Sequence, residues 1–419
     1  MNYRKTLGHM RETAMFVRLI TSFDELAALE GEWNALAVDA PFRSWDWLAT
    51  WWKHYGAVDA KKRRAADRRL NVLAVYDKAA EDDRQLIGVA PWYLEHSLVS
   101  GNVLRWLGDG EVCTDHLSLV CRPEHGKYVA AAVVEALTGP FIDWDRLDLE
   151  NVDADDANVE FLIASFRERQ CALSRQENGA CWAVTLPASW EGYLAENSKS
   201  HRKQLRQLER RVLTSGRVHW RRVETANDFA EGWGILVDLH QQRRKSLGEP
   251  GCFASRPFHE FHRELAARML NRGQLRLSWL ELDGAPAAAE YHFCGNHTTY
   301  AYQGGVDPSR LEEEPGRLST ILCLRAAVEE GQRQFDFLRG NEPYKAHWRA
   351  TPRATCDYRV TPNRRLARLR GDMLQAAERV TDWVRHSVKR ADFSKPTGAI
   401  SPACAPHAGQ ALAEPVAHI

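Results

Sequence analysis

Apolar positions recur along this chain with two periods, and the periods divide it into strands and helices. Val17–Ile20 predicts a strand, after which Ser22 or Asp24 caps an amphipathic helix to about Val38. Pro41-Phe42-Arg43-Ser44-Trp45-Asp46-Trp47 leads into a second helix through Tyr55, and Lys61 to Arg69 reads as a charged surface loop. Asn71–Tyr76 and Leu86–Leu94 predict strands on either side of a charged turn. A strand at Leu117–Val120, a helix at Glu124–Leu137, a strand at Leu147–Leu149, a helix at Glu160–Arg169 and an extended Cys181–Leu186 follow.

A second half opens near Pro187. It predicts helices at Trp190–Glu196, Lys199–Thr214, Asn227–Leu247 and Pro257–Asn271, with a strand at Val218–Val223. Three strand runs come in close order, Leu275–Leu282, Ala287–Cys294 and Thr298–Gln303, the first two joined by an Asp283-Gly284 hairpin turn. A long loop leads to a helix at Gly316–Glu330 and a short strand at Phe335–Leu338. Pro362 opens a last helix with Leu366, Leu369, Met373, Ala376, Val380 and Trp383 at heptad spacing, a face expected to pack on the domain, a partner or a second copy.

The expected organisation is a flexible N-terminus (1–16), an α/β half (17–186), a second α/β half (187–361), a C-terminal helix (362–391) and a disordered Ala- and Pro-rich tail (392–419). The fold class is mixed α/β with two tandem, mostly antiparallel sheets flanked by helices. Each half runs from a hairpin-rich sheet into a β–helix–β unit.

Composition narrows the function classes. The 419 residues carry 56 basic and 56 acidic side chains, so no overall charge draws the chain to nucleic acid or an anionic membrane. Its nine cysteines form no CxxC pair, which favours buried free thiols in a reducing cytoplasm. No apolar run approaches the ~20 residues of a membrane span, and no apolar stretch follows the charged N-terminus as in a signal peptide. Phosphate-loop, GxGxxG and GxSxG motifs are absent, and His259-Glu260-Phe261-His262 lacks the HExxH spacing, so no metal or permanent cofactor is expected.

Candidate chemistry gathers between Thr298 and Trp348. The helix start at Pro315-Gly316-Arg317 follows a strand end, where free backbone N–H groups and the helix dipole favour an anion. Asp336 alternates with Phe335 and Phe337; if the Phe side chains face the core, it faces the opposite layer or a cavity and is a base candidate. Lys345 is a candidate to hold an anionic intermediate. Glu290, in Ala-Ala-Ala-Glu-Tyr-His-Phe, is a second base candidate if it points inward, and His292 shares its face. Nine Lys or Arg and one acid lie between Lys199 and Arg222, and Lys199, Arg202, Arg206 and Arg210 form one helical stripe suited to phosphates. His240 and Arg243 share a helix.

Several stretches together resemble one family: PFRSWDWLATWW, NSKSHRKQLRQLERR, LHQQRRKSLGEPGCF, YQGGVDP, the PGRLS helix start and FDFLRGNEPYKAHW. The chain resembles GNAT-type acyltransferases of the cellulose-biosynthesis CelD-like group, related to the FemAB aminoacyltransferases, over about residues 17 to 362. The resemblance implies two GNAT-like domains and acyl transfer to an amine or hydroxyl, on a small-molecule or glycan-linked acceptor. It implies acyl-CoA as cosubstrate, held at Gly316, Arg317, Leu318 and Ser319. The stretch Glu312-Glu313-Glu314-Pro315-Gly316-Arg317 departs from the GNAT [QR]-x-x-G-x-[GA] loop, and three acids oppose a pyrophosphate there. Aminoacyl-tRNA is therefore a second donor, less favoured, and a non-catalytic assembly protein of a polysaccharide system is a third reading. Tyr344-Lys345 resembles the aromatic–Lys pair of FemAB relatives. The catalytic candidates are Asp336, Lys345, Tyr344 and Glu290; the substrate-binding candidates are Arg202, Arg206, His240, Arg243, Gln303, Arg339 and Glu342.

Overall fold

The computed structural model describes residues 15–37, 40–56, 67–77, 84–140, 142–374 and 376. Its strands are β1 (Phe16–Ile20), β2 (Asp67–Leu70), β3 (Val72–Tyr76), β4 (Leu86–Ala90), β5 (Trp92–Ser97), β6 (Gly101–Trp106), β7 (Val120–Cys121), β8 (Arg146–Asp153), β9 (Ala172–Thr185), β10 (Val218–Arg222), β11 (Leu275–Leu282), β12 (Ala285–Gly295), β13 (Thr298–Val306), β14 (Gln334–Arg339) and β15 (Thr351–Thr361). Its helices are α1 (Phe23–Ala27), α2 (Glu30–Leu36), α3 (Trp45–Trp51), α4 (Gly126–Thr138), α5 (Ala157–Glu168), α6 (Trp190–Glu196), α7 (Lys199–Leu208), α8 (Ala226–Ser246), α9 (Arg256–Asn271), α10 (Pro315–Glu329) and α11 (Tyr344–His347). Most helices start where a side chain accepts a first-turn N–H. Ser22, Ser44, Asp156, Ser189 and Ser198 each do so, and Thr225 with Asp228 forms a capping box.

Four strands form a small antiparallel sheet, β1-β3-β4-β7. Eleven form a large mixed sheet, β10-β11-β12-β13-β14-β9-β15-β8-β6-β5-β2. The centre of the large sheet is an exchange. Strand β9 closes the first half yet pairs with β14 of the second, and β15 closes the second half yet pairs with β8 of the first. Outward from that centre, each half has a parallel pair joined across a helix: β13 and β14 across α10, β6 and β8 across α4. The architecture is thus mixed α/β, with both halves built alike and their sheets merged by the exchanged strands.

Two apolar cores follow. One fills the first half and continues through α8 and α9 onto one face of β11–β13. Phe42 and Trp47, from the tryptophan-rich PFRSWDWLATWW stretch, meet Phe293, Tyr300 and Tyr302 edge-on or tilted with centroids 5.2–6.4 Å apart. Such pairs add about 0.5–1.5 kcal/mol each beyond area burial, so this cluster clamps the halves together. The second core lies between α10, α6, α7 and the other face of the same strands.

Some expectations differ from the structure. The helix predicted to Val38 breaks at Ala28–Leu29 into α1 and α2, and the helix read through Tyr55 leaves α-geometry after Trp51. The strand predicted at Leu117–Val120 shrinks to β7: Cys113 and His116 take left-handed φ values of 51° and 58°, and Asp115 and His116 reach across to Arg339 and Asp336 of the second half. Arg68 and Arg69, read as loop, pair with β5. The strands β6 and β15 were not anticipated. The last helix is present at 365–374, but Leu366, Leu369 and Met373 are exposed. It docks instead through buried Ala367 and through Arg364, Arg368 and Arg370, which reach Asp143, the Gln170 carbonyl and Asp145. Val380, Trp383, the N-terminal segment to residue 14 and the tail lie outside the described residues. Eight of the nine cysteines, all but Cys404, are described, and all eight are free thiols.

Candidate active site

Strands β13 and β14 run side by side for only three residues. Thr298, Thr299 and Tyr300 pair with Gln334, Phe335 and Asp336, and beyond Tyr300 the strands part. Two irregularities open them. The β12–β13 ladder slips between Tyr291 and His292, leaving Tyr302 as an extra residue that bends β13. Strand β14 is irregular between Asp336 and Arg339, where Leu338 takes a φ of 57°. The result is a slot whose two mouths face the two helical layers. Strand ends that separate this way are where ligands lodge in α/β sheets.

On the α10 side stands Glu290. The Ser319 hydroxyl donates to its Oε1 at 2.5 Å, and His292 Nε2 lies 3.2 Å from its Oε2. All three residues are buried. Gly304 is the register partner of Glu290 on β13, and a Cβ there would sit 2.9 Å from Oε2, so the glycine leaves the carboxylate its room toward the slot. Tyr344 opens α11 on the same side, edge-on to Phe337. Burial, and then the Glu342 and Glu290 carboxylates, raise its hydroxyl pKa well above the ordinary tyrosine range. Tyr344 therefore stays protonated and available as a donor at neutral pH.

Lys345 and Glu342 lie beneath Tyr344. The Lys345 ammonium donates to the carbonyls of Leu338, Arg339 and Gly340 at 3.1, 2.7 and 3.3 Å and faces Glu342 at 2.9 Å. It is 2% exposed. All its protons point at the turn after β14, so it fixes that turn and the start of α11 rather than reaching the slot. Gly340, with φ of 119°, adopts a conformation that suits glycine alone.

Asp336 lies on the other side of β14, away from Glu290. It accepts from the Leu338 N–H at 2.7 Å and faces His116 Nε2 at 3.3 Å, while His116 Nδ1 lies 2.8 Å from Asp153. Burial disfavours the imidazolium, but the Asp153 and Asp336 carboxylates outweigh it and lift His116 to about 10. Arg339 beside it donates to Asp115 at 2.5 Å and to the Thr114 carbonyl at 2.8 Å. Asp336 and Arg339 therefore seat the 113–116 loop of the first half against β14. Ligand atoms of His116, Asp153 and Cys181 lie within 4.8 Å of one another, with both imidazole nitrogens already facing carboxylates.

The α10 start is more cationic than its sequence. Arg211 and Arg317 pair with Glu314, and Arg217 and Arg310 pair with Glu313. These four guanidinium groups offset Glu313 and Glu314, two of the three acids that opposed a pyrophosphate. The first turn is tightly wound, since the Arg317 and Leu318 N–H groups both return to the Glu314 carbonyl. The Leu318 side chain is core, and Ser319 links the helix start to Glu290. On α7, Arg206 pairs with Glu191 and Arg202 donates to the Ala195 carbonyl, so both are tied along the α6–α7 surface.

On the α8 side, α8 touches β13 backbone to backbone: a Cβ on Gly305 would lie 2.3 Å from the His240 nitrogen. His240 Nε2 is 3.5 Å from Cys252 Sγ, and Gln303 Nε2 donates to that sulfur at 3.4 Å. Burial lowers His240 to about 4 and pushes Cys252 up to about 12, so both are neutral. Arg243 is one turn further along the same buried face. Sequence reading missed Asp115, His116, Asp153 and Cys252. The first three are joined only by tertiary pairing. Cys252 had one faint signal, the Pro250-Gly251 break that returns the chain to Gln241, where Gln241 Nε2 donates to the Pro250 carbonyl.

Comparisons place this geometry among known proteins. Residues 199–346 match a family described as "Acetyltransferase (GNAT) domain". The crystal structure of FemX superposes with a TM-score of 0.57 at 11% identity, over 81% of this chain and 98% of FemX. L-PGS from Bacillus licheniformis gives 0.44 at 11% identity over 85% and 96%. The tandem GNAT protein from the clavulanic acid biosynthesis pathway gives 0.38 at 12% identity over 83% and 98%. At these identities the FemX likeness establishes the fold. Comparison with curated protein sequences finds no match.

Proposed function

We propose that the chain transfers an acyl group to an amine or hydroxyl acceptor in the slot between β13 and β14, with Glu290 as base and Tyr344 as acid. The observation that carries this reading is the convergence of these two groups on one mouth of the parting strands. The acceptor attacks the acyl carbonyl while Glu290 takes its proton, which the Ser319 hydroxyl helps to orient. The backbone N–H groups of β13 beyond Tyr300, which have no ladder partner on β14, receive the developing oxyanion. Tyr344 then protonates the leaving group. Lys345 and Glu342 act as positioning residues by holding the turn that presents Tyr344, and Asp336 by seating the first half.

Acyl-CoA is the favoured donor. Its phosphates would meet Arg317 and the partly neutralised start of α10, with Gly316 and the turn to Ser319 beside them. The acceptor is a small or glycan-linked molecule of envelope or exopolysaccharide metabolism, a reading that rests on the CelD-like sequence motifs. One observation favours aminoacyl-tRNA as the alternative: Lys199, Arg202 and Lys203 stand at the surface of α7 without an ion pair among the described residues. Thermal shift separates the donors, since a ligand that binds only the native state raises its Tm. Acyl-CoAs of several chain lengths are expected to raise Tm, and charged tRNA is not. A rise with charged tRNA alone overturns the assignment of the donor.

A further inference from the structure

Three Lys or Arg side chains among the described residues are buried: Arg146, Lys345 and Arg243. Arg146 meets Asp148 at 2.9 Å and Lys345 meets Glu342 at 2.9 Å. Arg243 is 7% exposed, and among the described residues its side chain makes neither an ion pair nor a hydrogen bond; its Nε is enclosed without a partner. A guanidinium cannot shed its charge at any working pH. Burying it without a counter-ion is strongly unfavourable, so the fold keeps a place for an anion that the chain itself does not supply.

The course of α8 fixes where that place is. Gly232 of α8 lies over β11, where a Cβ would touch Leu277 and Trp279, and His240 lies over Gly305 of β13. The helix therefore crosses the sheet from β11 toward β13. Arg243 is three residues on, a rise of about 4.5 Å, close to the ~4.8 Å between neighbouring strands. It thus stands beyond β13 on the β14 side. At the level of Gly305 no strand pairs with β13 there, because the β13–β14 ladder ends at Tyr300. Arg243 stands over the slot, on the face opposite Glu290 and the α10 start.

We propose that Arg243 is an oxyanion-binding residue of the slot and receives the phosphate or carboxylate of an anionic acceptor. The opposite face holds the helix start suited to the donor, so the anion at Arg243 belongs to the other substrate. The planar guanidinium fork fits two oxygens of either group. Assigning the anion to the acceptor rests on the transfer reaction proposed above; the anion site itself does not.

The test is thermal shift of the full chain titrated with inorganic phosphate or with acetate, at ionic strength held constant with chloride. Wild-type Tm is expected to rise with at least one probe, and the better probe names the acceptor's anion. Arg243→Gln is expected to abolish the rise and to melt no lower than wild type without anion, since it removes an uncompensated buried charge. Arg243→Lys keeps the charge but loses the fork and should retain only part of the response. Glu290→Gln is expected to respond as wild type does, so this result stands even if no transfer activity is found. No rise with either probe, an equal rise in Arg243→Gln, or a lower Tm for Arg243→Gln in chloride overturns the proposal.

Discussion

Lys345 and Glu342 face each other at 2.9 Å inside the turn that follows β14, with three backbone carbonyls completing the ammonium's shell. Removing one partner of a buried pair leaves the other charge uncompensated, at about 3–5 kcal/mol. Lys345→Met is therefore expected to lose stability on that scale in urea unfolding, and adding Glu342→Gln should restore part of it. If Lys345 instead stabilised an oxyanion directly, Lys345→Met would keep its stability and lose turnover alone.

The His116 bridge between Asp153 and Asp336 gives the junction of the halves a pH dependence. Its pKa is raised in the fold, from an unfolded value near 6.5 to about 10. A raised pKa contributes stability that is complete below about 6.5 and is lost as pH climbs to about 10. Urea unfolding at pH 6, 8 and 10 should show this decline. Asp336→Asn should lower stability at pH 6 and flatten the decline; equal slopes in the two proteins would contradict the account.

Two adjacent glycines separate architecture from chemistry. A Cβ on Gly305 would meet the α8 backbone at 2.3 Å, which cannot yield, so Gly305→Ala should cost about 1–3 kcal/mol or more. A Cβ on Gly304 would meet the end of the Glu290 side chain at 2.9 Å and the Ala289 carbonyl at 3.2 Å, a milder crowding. Gly304→Ala should therefore lower Tm less than Gly305→Ala does and cut turnover. Paired measurement of Tm and kcat on both variants checks the contrast.

Tyr344→Phe keeps the ring against Phe337 and removes only the proton donor. A general acid contributes about 10²–10⁴-fold, so kcat should fall in that range with KM little changed. A variant that loses only KM would place Tyr344 in binding instead.

Much of this fold was legible because its signals are local. Apolar runs in close order with an Asp-Gly turn marked β11, β12 and β13, and apolar spacing marked α6, α7 and α8. The exchange of β9 and β15 was not legible, since it pairs residues from 168 (Thr351 with Ala183) to 189 (Thr361 with Ala172) positions apart. The site divides the same way. Glu290 stood out as a polar residue in an apolar strand, and Tyr344 through its resemblance to the aromatic–Lys pair of FemAB relatives. The objection raised by Glu313 and Glu314 weakens only when Arg211 and Arg217 arrive from another element. Asp336 looked like a base because alternation gives the face of a strand but not what lies across from it; what lies across is His116.

The central claim is that Glu290 accepts the acceptor's proton in the slot. The direct measurement is single-turnover acyl transfer from acyl-CoA, read as thiol release with and without an amine acceptor, in wild type and Glu290→Gln. Because the glutamine keeps the Ser319 contact but cannot take a proton, the account predicts amine-dependent release in wild type and a fall of about 10²–10⁴-fold in the variant, with acyl-CoA binding retained. Equal release rates in the two proteins would contradict it.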